Sequence, residues 1–123
     1  FTDPDCPFCR KAADWLEKNR EGVTRYVFLY PITRLHPGAD AKAKYILGAK
    51  DQEKAYHEVM SGALDSIDAG KLKLTEKAGA LLEEHKQIAV KAGVFATPTL
   101  WVNGKHVPGA DIPLIEKYLK GEK

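Results

Sequence analysis

Two cysteines, Cys6 and Cys9, are the residues of this sequence best suited to chemistry, and two residues separate them in Cys6-Pro7-Phe8-Cys9. A disulfide between them would close a very small ring, which restricts the unfolded chain too little to serve as a structural staple. A zinc site would need histidines as well, and the four histidines lack the paired spacing of zinc ligands. The pair therefore predicts thiol–disulfide exchange, with no metal and no cofactor.

The positions of the two sulfurs on a predicted helix suggest a role for each. Apolar residues recur at helical spacing after the pair, which predicts a helix from Pro7 to about Asn19. Cys6 precedes its first residue, where unpaired N–H groups and the positive end of the helix dipole favour a thiolate. We therefore expect Cys6 to be an exposed nucleophile and Cys9, one turn further in, to be a more buried resolving thiol.

Four charged residues flank the pair and act in opposite directions. Arg10 and Lys11 would help to hold a thiolate, whereas Asp3 and Asp5 would oppose it. The alternative, that all four are solvated side chains with small effects, stays open at this point.

Length and composition restrict the classes of protein to which this chain can belong. Its 123 residues suffice for one domain, 1–123, with a single core. The net charge is +2 and the basic residues are dispersed, which argues against nucleic acid as a partner. The apolar stretches are too short to span a bilayer. Phe1-Thr2-Asp3 resembles the end of a strand, so we expect the rest of that strand, and another domain, to precede Phe1.

The middle of the sequence predicts one strand followed by a block of helices. Residues 23–30 are rich in β-branched and aromatic types on both faces, which is typical of a central strand covered on both sides. Helices are then predicted over 39–47, over 52–61 with Asp51 as N-cap, and from Thr75 to Gly93, with a connection over 66–74.

Near the end of the sequence the residue pattern becomes that of strands, in which side chains alternate with a period of two. Thr99 to Val102 predicts a strand, Asn103-Gly104 is a strong hairpin turn signal, and residues 105–107 return beside the first strand. A last helix is predicted from Pro113 to Leu119.

Several segments of the chain together resemble the bacterial DsbC and DsbG family of disulfide isomerases. Phe1 through Cys9 is similar to the active-site segment of that family, and Gly93-Val94-Phe95-Ala96-Thr97-Pro98-Thr99 is similar to its cis-proline loop. Residues 30–37 and 46–54 are similar to its helical insertion. CxxC alone is a weak signal, but CxxC at this distance from Gly-Val-x-x-Thr-Pro-Thr is a specific one.

The resemblance implies an α/β thioredoxin-like fold. Its helical insertion, approximately residues 38–92, would lie between the strand after the CxxC helix and the cis-proline hairpin. The two cysteines would be catalytic, and a cis Pro98 would pack beside them. Substrate contacts would come from Pro7, Phe8, Thr97 and Pro98, with the backbone of Thr97 presented to a substrate held as an added strand.

The resemblance also implies a setting for this chemistry. The partners would be disulfide-containing unfolded or misfolded proteins and a membrane thiol reductase of DsbD type, in the periplasm. Homodimers would form only through an N-terminal domain that this sequence does not include. The family often carries a second, structural disulfide in the insertion; this sequence has none, and Gly48 stands about where one of those cysteines would be.

A protein disulfide isomerase or reductase is the favoured function, and other functions compete with it. One is a DsbA-like oxidase that donates the Cys6–Cys9 disulfide, since Cys-Pro-x-Cys is also found in that relative. A glutaredoxin is disfavoured because its small domain has no place for a long insertion. A chaperone or binding module without turnover, and a metal carrier, are the remaining alternatives.

Overall fold

The computed structural model describes residues 1–121, so Glu122 and Lys123, the end of the predicted domain, lie outside the described residues. Five α-helices, two strands and one short 3-10 helix follow one another in that part of the chain. They are α1 (Pro7–Lys18), α2 (Ala39–Gly48), α3 (Gln52–Met60), the 3-10 helix Ala69–Lys71, α4 (Glu76–Lys91), β1 (Thr99–Val102), β2 (Lys105–Pro108) and α5 (Ile112–Leu119).

Helices α3 and α4 begin at side-chain caps, as the sequence predicted. The Asp51 side chain accepts a hydrogen bond from the N–H of Lys54 at 3.0 Å, and the Thr75 hydroxyl accepts one from Ala78 at 3.1 Å. Each bond satisfies an N–H that has no partner inside the helix. The 66–74 segment is the predicted connection, and the short 3-10 helix lies within it.

Helices α2, α3 and α4 pack around one apolar cluster. Its buried members are Leu29, Ala43, Ile46, Leu47, Ala55, Val59, Leu64, Ala78 and Leu82. Leu29 belongs to the chain before the helices, so this cluster fixes the helical block to the chain that precedes it. Burial of a side chain of this size stabilises the fold by about 1.5–3 kcal/mol.

The hairpin has the predicted turn. Thr99 pairs with Pro108 and Val102 with Lys105 in an antiparallel register. Asn103 and Gly104 have φ values of 50° and 82°, the left-handed conformations that a two-residue type I′ turn requires. Helix α5 packs on the hairpin through a second buried cluster of Val102, Val107 and Ile115.

The first residues of the chain extend this sheet. Phe1 and Thr99 exchange two hydrogen bonds, from the N of Phe1 to the O of Thr99 (2.8 Å) and from the N of Thr99 to the O of Phe1 (3.1 Å). On the other side, the N of Thr2 donates to Phe28 and its O accepts from Tyr30, a parallel bridge between Thr2 and Leu29. The lateral order is therefore β2, β1, the first residues, and then the chain around Leu29.

The predicted strand over 23–30, called the edge segment below, is wrong as a continuous strand. Among residues 23–30, all of which the structure describes, Leu29 alone has a bridge partner, at Thr2. Tyr26 is 82% exposed, so the segment is not covered on both sides. A groove of about 560 Å³ follows the segment and β1, and Val27 and Trp101 are among the residues that line it. Apolar composition predicted a covered strand, but a strand also needs neighbouring backbone with which to pair.

Candidate active site

Cys6 is the residue that precedes helix α1, as predicted. It has extended backbone angles (φ −80°, ψ 121°), Pro7 occupies the first turn, and the N–H of Arg10 donates to the Cys6 carbonyl at 3.0 Å. The predicted exposure is wrong, because the residue is only 7% exposed. The Cys6 thiol donates to the carbonyl of Thr97 at 3.7 Å, so the cis-proline loop lies over the sulfur and covers it.

Cys9 lies on the inner face of α1, more deeply than Cys6, at 1% exposed. The N–H of Asp3 donates to its sulfur at 3.3 Å. Burial raises the pKa of the Cys9 thiol to about 11, against the opposing effect of hydrogen bonds from Thr2, Thr97 and Asp3. Both cysteines are free thiols, so at neutral pH Cys9 is held protonated next to a less deeply buried partner.

The cis-proline loop packs against the cysteines. The Thr97–Pro98 peptide bond is cis, which confirms the prediction from the resemblance. The carbonyl of Pro98 accepts from Gly109 at 2.8 Å, and the Thr99 hydroxyl donates to Ala96 at 2.7 Å. These bonds tie the loop to the hairpin and so fix the Thr97 carbonyl beside Cys6.

The predicted substrate-contact residues divide into exposed and buried ones. Pro7 and Phe8 lie on the surface, Phe8 at 64% exposed, whereas Thr97 is half-buried and Pro98 is buried. Phe95, two residues before Thr97, is 89% exposed and was not among the predicted residues. An aromatic residue in the loop between Gly93 and Pro98 is the sequence signal that could have found it.

Asp3 to Cys6, called the catalytic turn below, is held by the side chain of Asp3. This carboxylate is 0% exposed, and it accepts from the N–H of Asp5 (2.9 Å) and of Ile32 (2.8 Å). Nδ1 of His36 lies 3.0 Å from its second oxygen. The reading of Asp3 as a solvated side chain is therefore wrong: a buried carboxylate needs such donors to offset the loss of water.

Arg10 contacts the same turn rather than the sulfur. Its Nε donates to the carbonyl of Pro4 at 2.8 Å, and its two terminal nitrogens bind both oxygens of Asp65 at 2.7 and 2.8 Å. The hydrogen bond to Asp65 raises the pKa of Arg10. Lys42, from α2, completes the cluster with contacts to Asp5 and Asp65.

Sequence reasoning did not identify His36, Lys42 or Asp65 as part of the site. They are 30 or more residues from Cys6 in the sequence; His36 lies in one of the segments that resemble the family, whereas Lys42 and Asp65 carry no such signal. Only the packing of the helices brings them to the turn.

Two further findings concern metal sites and membrane spans in residues 1–121. That part of the chain has no group of three or more His, Cys, Asp or Glu side chains placed to hold a metal ion. None of its helices combines the length and the apolar character needed to cross a membrane.

A thiol at a helix start, a buried second thiol one turn on and a cis-proline loop over the first define the thioredoxin-like class. The chain belongs to the thioredoxin-like domain family, whose model matches residues 1–118. It is similar to the thiol:disulfide interchange protein DsbC of Escherichia coli K12, with 31% identity over 115 residues, and to that of Salmonella typhimurium, with 30%. The match to each covers 92% of this chain and 45% of the relative, so the chain spans about half the length of these relatives.

A solved structure gives the same result for the fold. The crystal structure of a disulfide interchange protein from Neisseria gonorrhoeae superposes with a TM-score of 0.76 at 28% identity. The superposition covers 99% of this chain and 84% of that one. The predicted fold class and the resemblance to the DsbC family are therefore confirmed.

Proposed function

We propose that this chain is the catalytic part of a thiol–disulfide oxidoreductase that acts as a protein disulfide isomerase or reductase. The observation that carries the proposal is the pairing of the less buried Cys6 with the deeply buried Cys9 beside the cis Thr97–Pro98 bond. The DsbC relatives, named thiol:disulfide interchange proteins, support the reaction class.

In the proposed reaction, the Cys6 thiolate attacks one sulfur of a substrate disulfide. A mixed disulfide forms, and the other substrate sulfur leaves as a thiolate. If a substrate thiolate then attacks, Cys6 is released, the disulfide has moved and no electrons are transferred overall. If the Cys9 thiolate attacks instead, a Cys6–Cys9 disulfide forms and the substrate is reduced by two electrons.

The burial of Cys9 bears on the choice between these two outcomes. Because its pKa is raised to about 11, Cys9 is almost entirely a thiol at neutral pH. Only the thiolate attacks, so release of the substrate by Cys9 is slowed. A long-lived mixed disulfide gives substrate thiols time to rearrange, which favours isomerisation.

The surface around Cys6 is suited to extended, weakly apolar chains. We propose that Pro7 and Phe8 contact the substrate on one side, and that Thr97, Pro98 and the exposed Phe95 contact it on the other. Exposed apolar side chains such as Phe8 and Phe95 can contact many sequences, as an enzyme for unfolded proteins requires.

The setting of the reaction is proposed from the family alone. A membrane thiol reductase of DsbD type would return the pair to the dithiol form, in the periplasm. Dimers would form through a domain outside residues 1–123, and the division of the chain into one domain with an insertion over about 38–92 stays a prediction.

The test is refolding of a scrambled multi-disulfide protein with catalytic amounts of the reduced chain. Native pairing should return with the wild-type chain and not with Cys6→Ser, while Cys9→Ser should accumulate mixed disulfides with the substrate. A non-catalytic binding module predicts that Cys6→Ser keeps the full effect on the unfolded substrate. If Cys9→Ser traps nothing, the assignment of Cys6 as nucleophile is wrong.

The redox equilibrium with glutathione separates an isomerase or reductase from an oxidase. A DsbA-like donor has a reduction potential of about −120 mV, whereas thioredoxin-like reductants have one of about −270 mV. A value near the first, together with oxidation of a reduced substrate by the disulfide form, would replace the isomerase proposal with the oxidase.

A further inference from the structure

We propose that His36 and Lys42, which lie far from the cysteines in the sequence, are positioning residues for the two sulfurs. They hold the catalytic turn from two sides through Asp3 and Asp5. The proposal deepens the proposed function, on whose thiol chemistry it rests, and assigns to the helical insertion a part in setting the reactivity of the cysteine pair.

The first anchor is the contact between His36 and Asp3. Asp3 touches both cysteines through its backbone, since its N–H donates to the Cys9 sulfur (3.3 Å) and its carbonyl accepts from the N–H of Cys6 (3.1 Å). Its carboxylate lies 3.0 Å from Nδ1 of His36 and also binds the N–H of Ile32. The loop that contains His36 therefore fixes the Asp3 peptide, whose N–H donates to the Cys9 sulfur.

The second anchor is the contact between Lys42 and Asp5, the residue directly before Cys6. Lys42 is only 8% exposed and binds Asp5 and, at 2.9 Å, Asp65. Burial lowers the pKa of Lys42, but its hydrogen bonds to Asp5 and Asp65 outweigh this and raise it. The ammonium group thus stays charged and neutralises a carboxylate one residue from the nucleophile.

The cost of burial argues that these contacts do more than stabilise the fold. A fully buried carboxylate and a nearly buried ammonium lose hydration, and apolar residues of similar size often stabilise a protein as well or better. The Asp3 carboxylate belongs to the catalytic turn, and the Lys42 ammonium group binds Asp5 of the same turn. An ion pair elsewhere in the insertion, between Lys86 and Asp40 at 2.8 Å, does not touch the turn and offers a matched control.

The two anchors predict effects on different sulfurs. In His36→Phe the Asp3 carboxylate keeps its bonds from Asp5 and Ile32 but loses the imidazole, so its peptide is held less firmly on the Cys9 sulfur. Attack of Cys9 on a Cys6–glutathione mixed disulfide should then slow about two- to tenfold, as expected for one hydrogen bond. In Lys42→Met the Asp5 carboxylate beside Cys6 loses its ammonium partner and keeps only the longer contact with Arg10, at 3.3 Å. Alkylation of Cys6 at neutral pH, measured in a Cys9→Ser background, should then slow by a similar factor.

The experiment compares these rates in wild-type, His36→Phe, Lys42→Met and Lys86→Met chains, well below the unfolding temperature of each. Lys86→Met should leave both rates unchanged even if it lowers the unfolding temperature. Asp5→Asn should restore the alkylation rate of Lys42→Met, because it removes the carboxylate charge that Arg10 alone, at 3.3 Å, would then have to neutralise. His36→Gln, which keeps a side-chain donor, should resolve the mixed disulfide faster than His36→Phe and serves if His36→Phe does not fold.

Unchanged rates in folded His36→Phe and Lys42→Met would overturn the proposal, as would equal slowing by Lys86→Met. Failure of Asp5→Asn to rescue Lys42→Met would overturn the second anchor. Neither rate requires a protein substrate. A negative refolding assay with the wild-type chain would therefore count against the isomerase, while the two rates still decide the positioning role.

Discussion

The catalytic turn and the edge segment both adjoin Thr2, yet they are held in very different ways. The turn (residues 3–6) buries a carboxylate among three hydrogen-bonding groups and is reached by side chains from three other parts of the chain. The edge segment (residues 23–30) has one bridge, at Leu29, and exposes Tyr26. Nearness to Thr2 does not decide how firmly a segment is fixed. The groups available to satisfy its backbone and side chains decide it.

Leu29 gives the largest expected effect and is the one buried residue of the edge segment. It is buried in the core of the helical block, so Leu29→Ala should lower the free energy of unfolding by about 2–5 kcal/mol. Urea denaturation measures this. Leu35→Ala, a control at an exposed leucine, should change the stability by less than about 0.5 kcal/mol. Equal losses for the two variants would contradict the description of the segment.

The rate at which Cys9 attacks tests how deeply its thiol is buried beside the catalytic turn. Because burial raises its pKa to about 11, its attack on a Cys6–glutathione mixed disulfide should accelerate about tenfold per pH unit. Between pH 6 and 8 this amounts to about a hundredfold, or about 2.7 kcal/mol of activation free energy. Stopped-flow detection of released glutathione measures it. A rate that reaches a plateau below pH 9 would show that Cys9 is less buried than described.

His85 supports the edge segment through a contact that depends on pH. Its Nδ1 accepts from the N–H of Leu29 at 3.0 Å, and burial lowers its pKa below the ordinary 6.5. The unfolded chain therefore binds this proton more readily than the folded one. The stabilisation is complete above about pH 6.5 and decreases as the pH falls through the lowered pKa of the folded state.

Thermal unfolding between pH 7.5 and 5 tests this contact. His85→Asn keeps an acceptor that does not titrate, so its stability should vary less with pH than that of the wild type. Identical pH profiles for the two proteins would remove His85 as the cause.

Tyr26 gives the smallest expected effect. Since its side chain is almost fully exposed, Tyr26→Ala should change the free energy of unfolding by no more than about 0.5 kcal/mol. Tyr56, which packs on the buried clusters, provides the contrast: Tyr56→Ala should cost about 2 kcal/mol or more. A large loss for Tyr26→Ala would mean that the groove beside the edge segment is covered in solution.

Much of the fold was predictable from the sequence because its signals are local. The N-caps Asp51 and Thr75 act within three residues of themselves, and Asn103-Gly104 sets its hairpin by its own backbone angles. The edge segment was predicted wrongly because its composition reports apolarity and not the presence of paired neighbours. Cys6 was expected to be exposed for a similar reason, since the loop that covers it comes from Thr97, 91 residues away.

The sequence alone determined the cysteine spacing, the helix that begins between Cys6 and Cys9, and the type of turn that closes the hairpin. The spacing is read directly from the chain, and hydrogen bonds between residues only a few positions apart are sufficient for the helix and the turn. The tertiary structure decided how deeply each sulfur is buried and which charges reach the catalytic turn. Burial and long-range ion pairs depend on contacts between segments 30 to 90 residues apart, and a one-dimensional pattern carries no record of them.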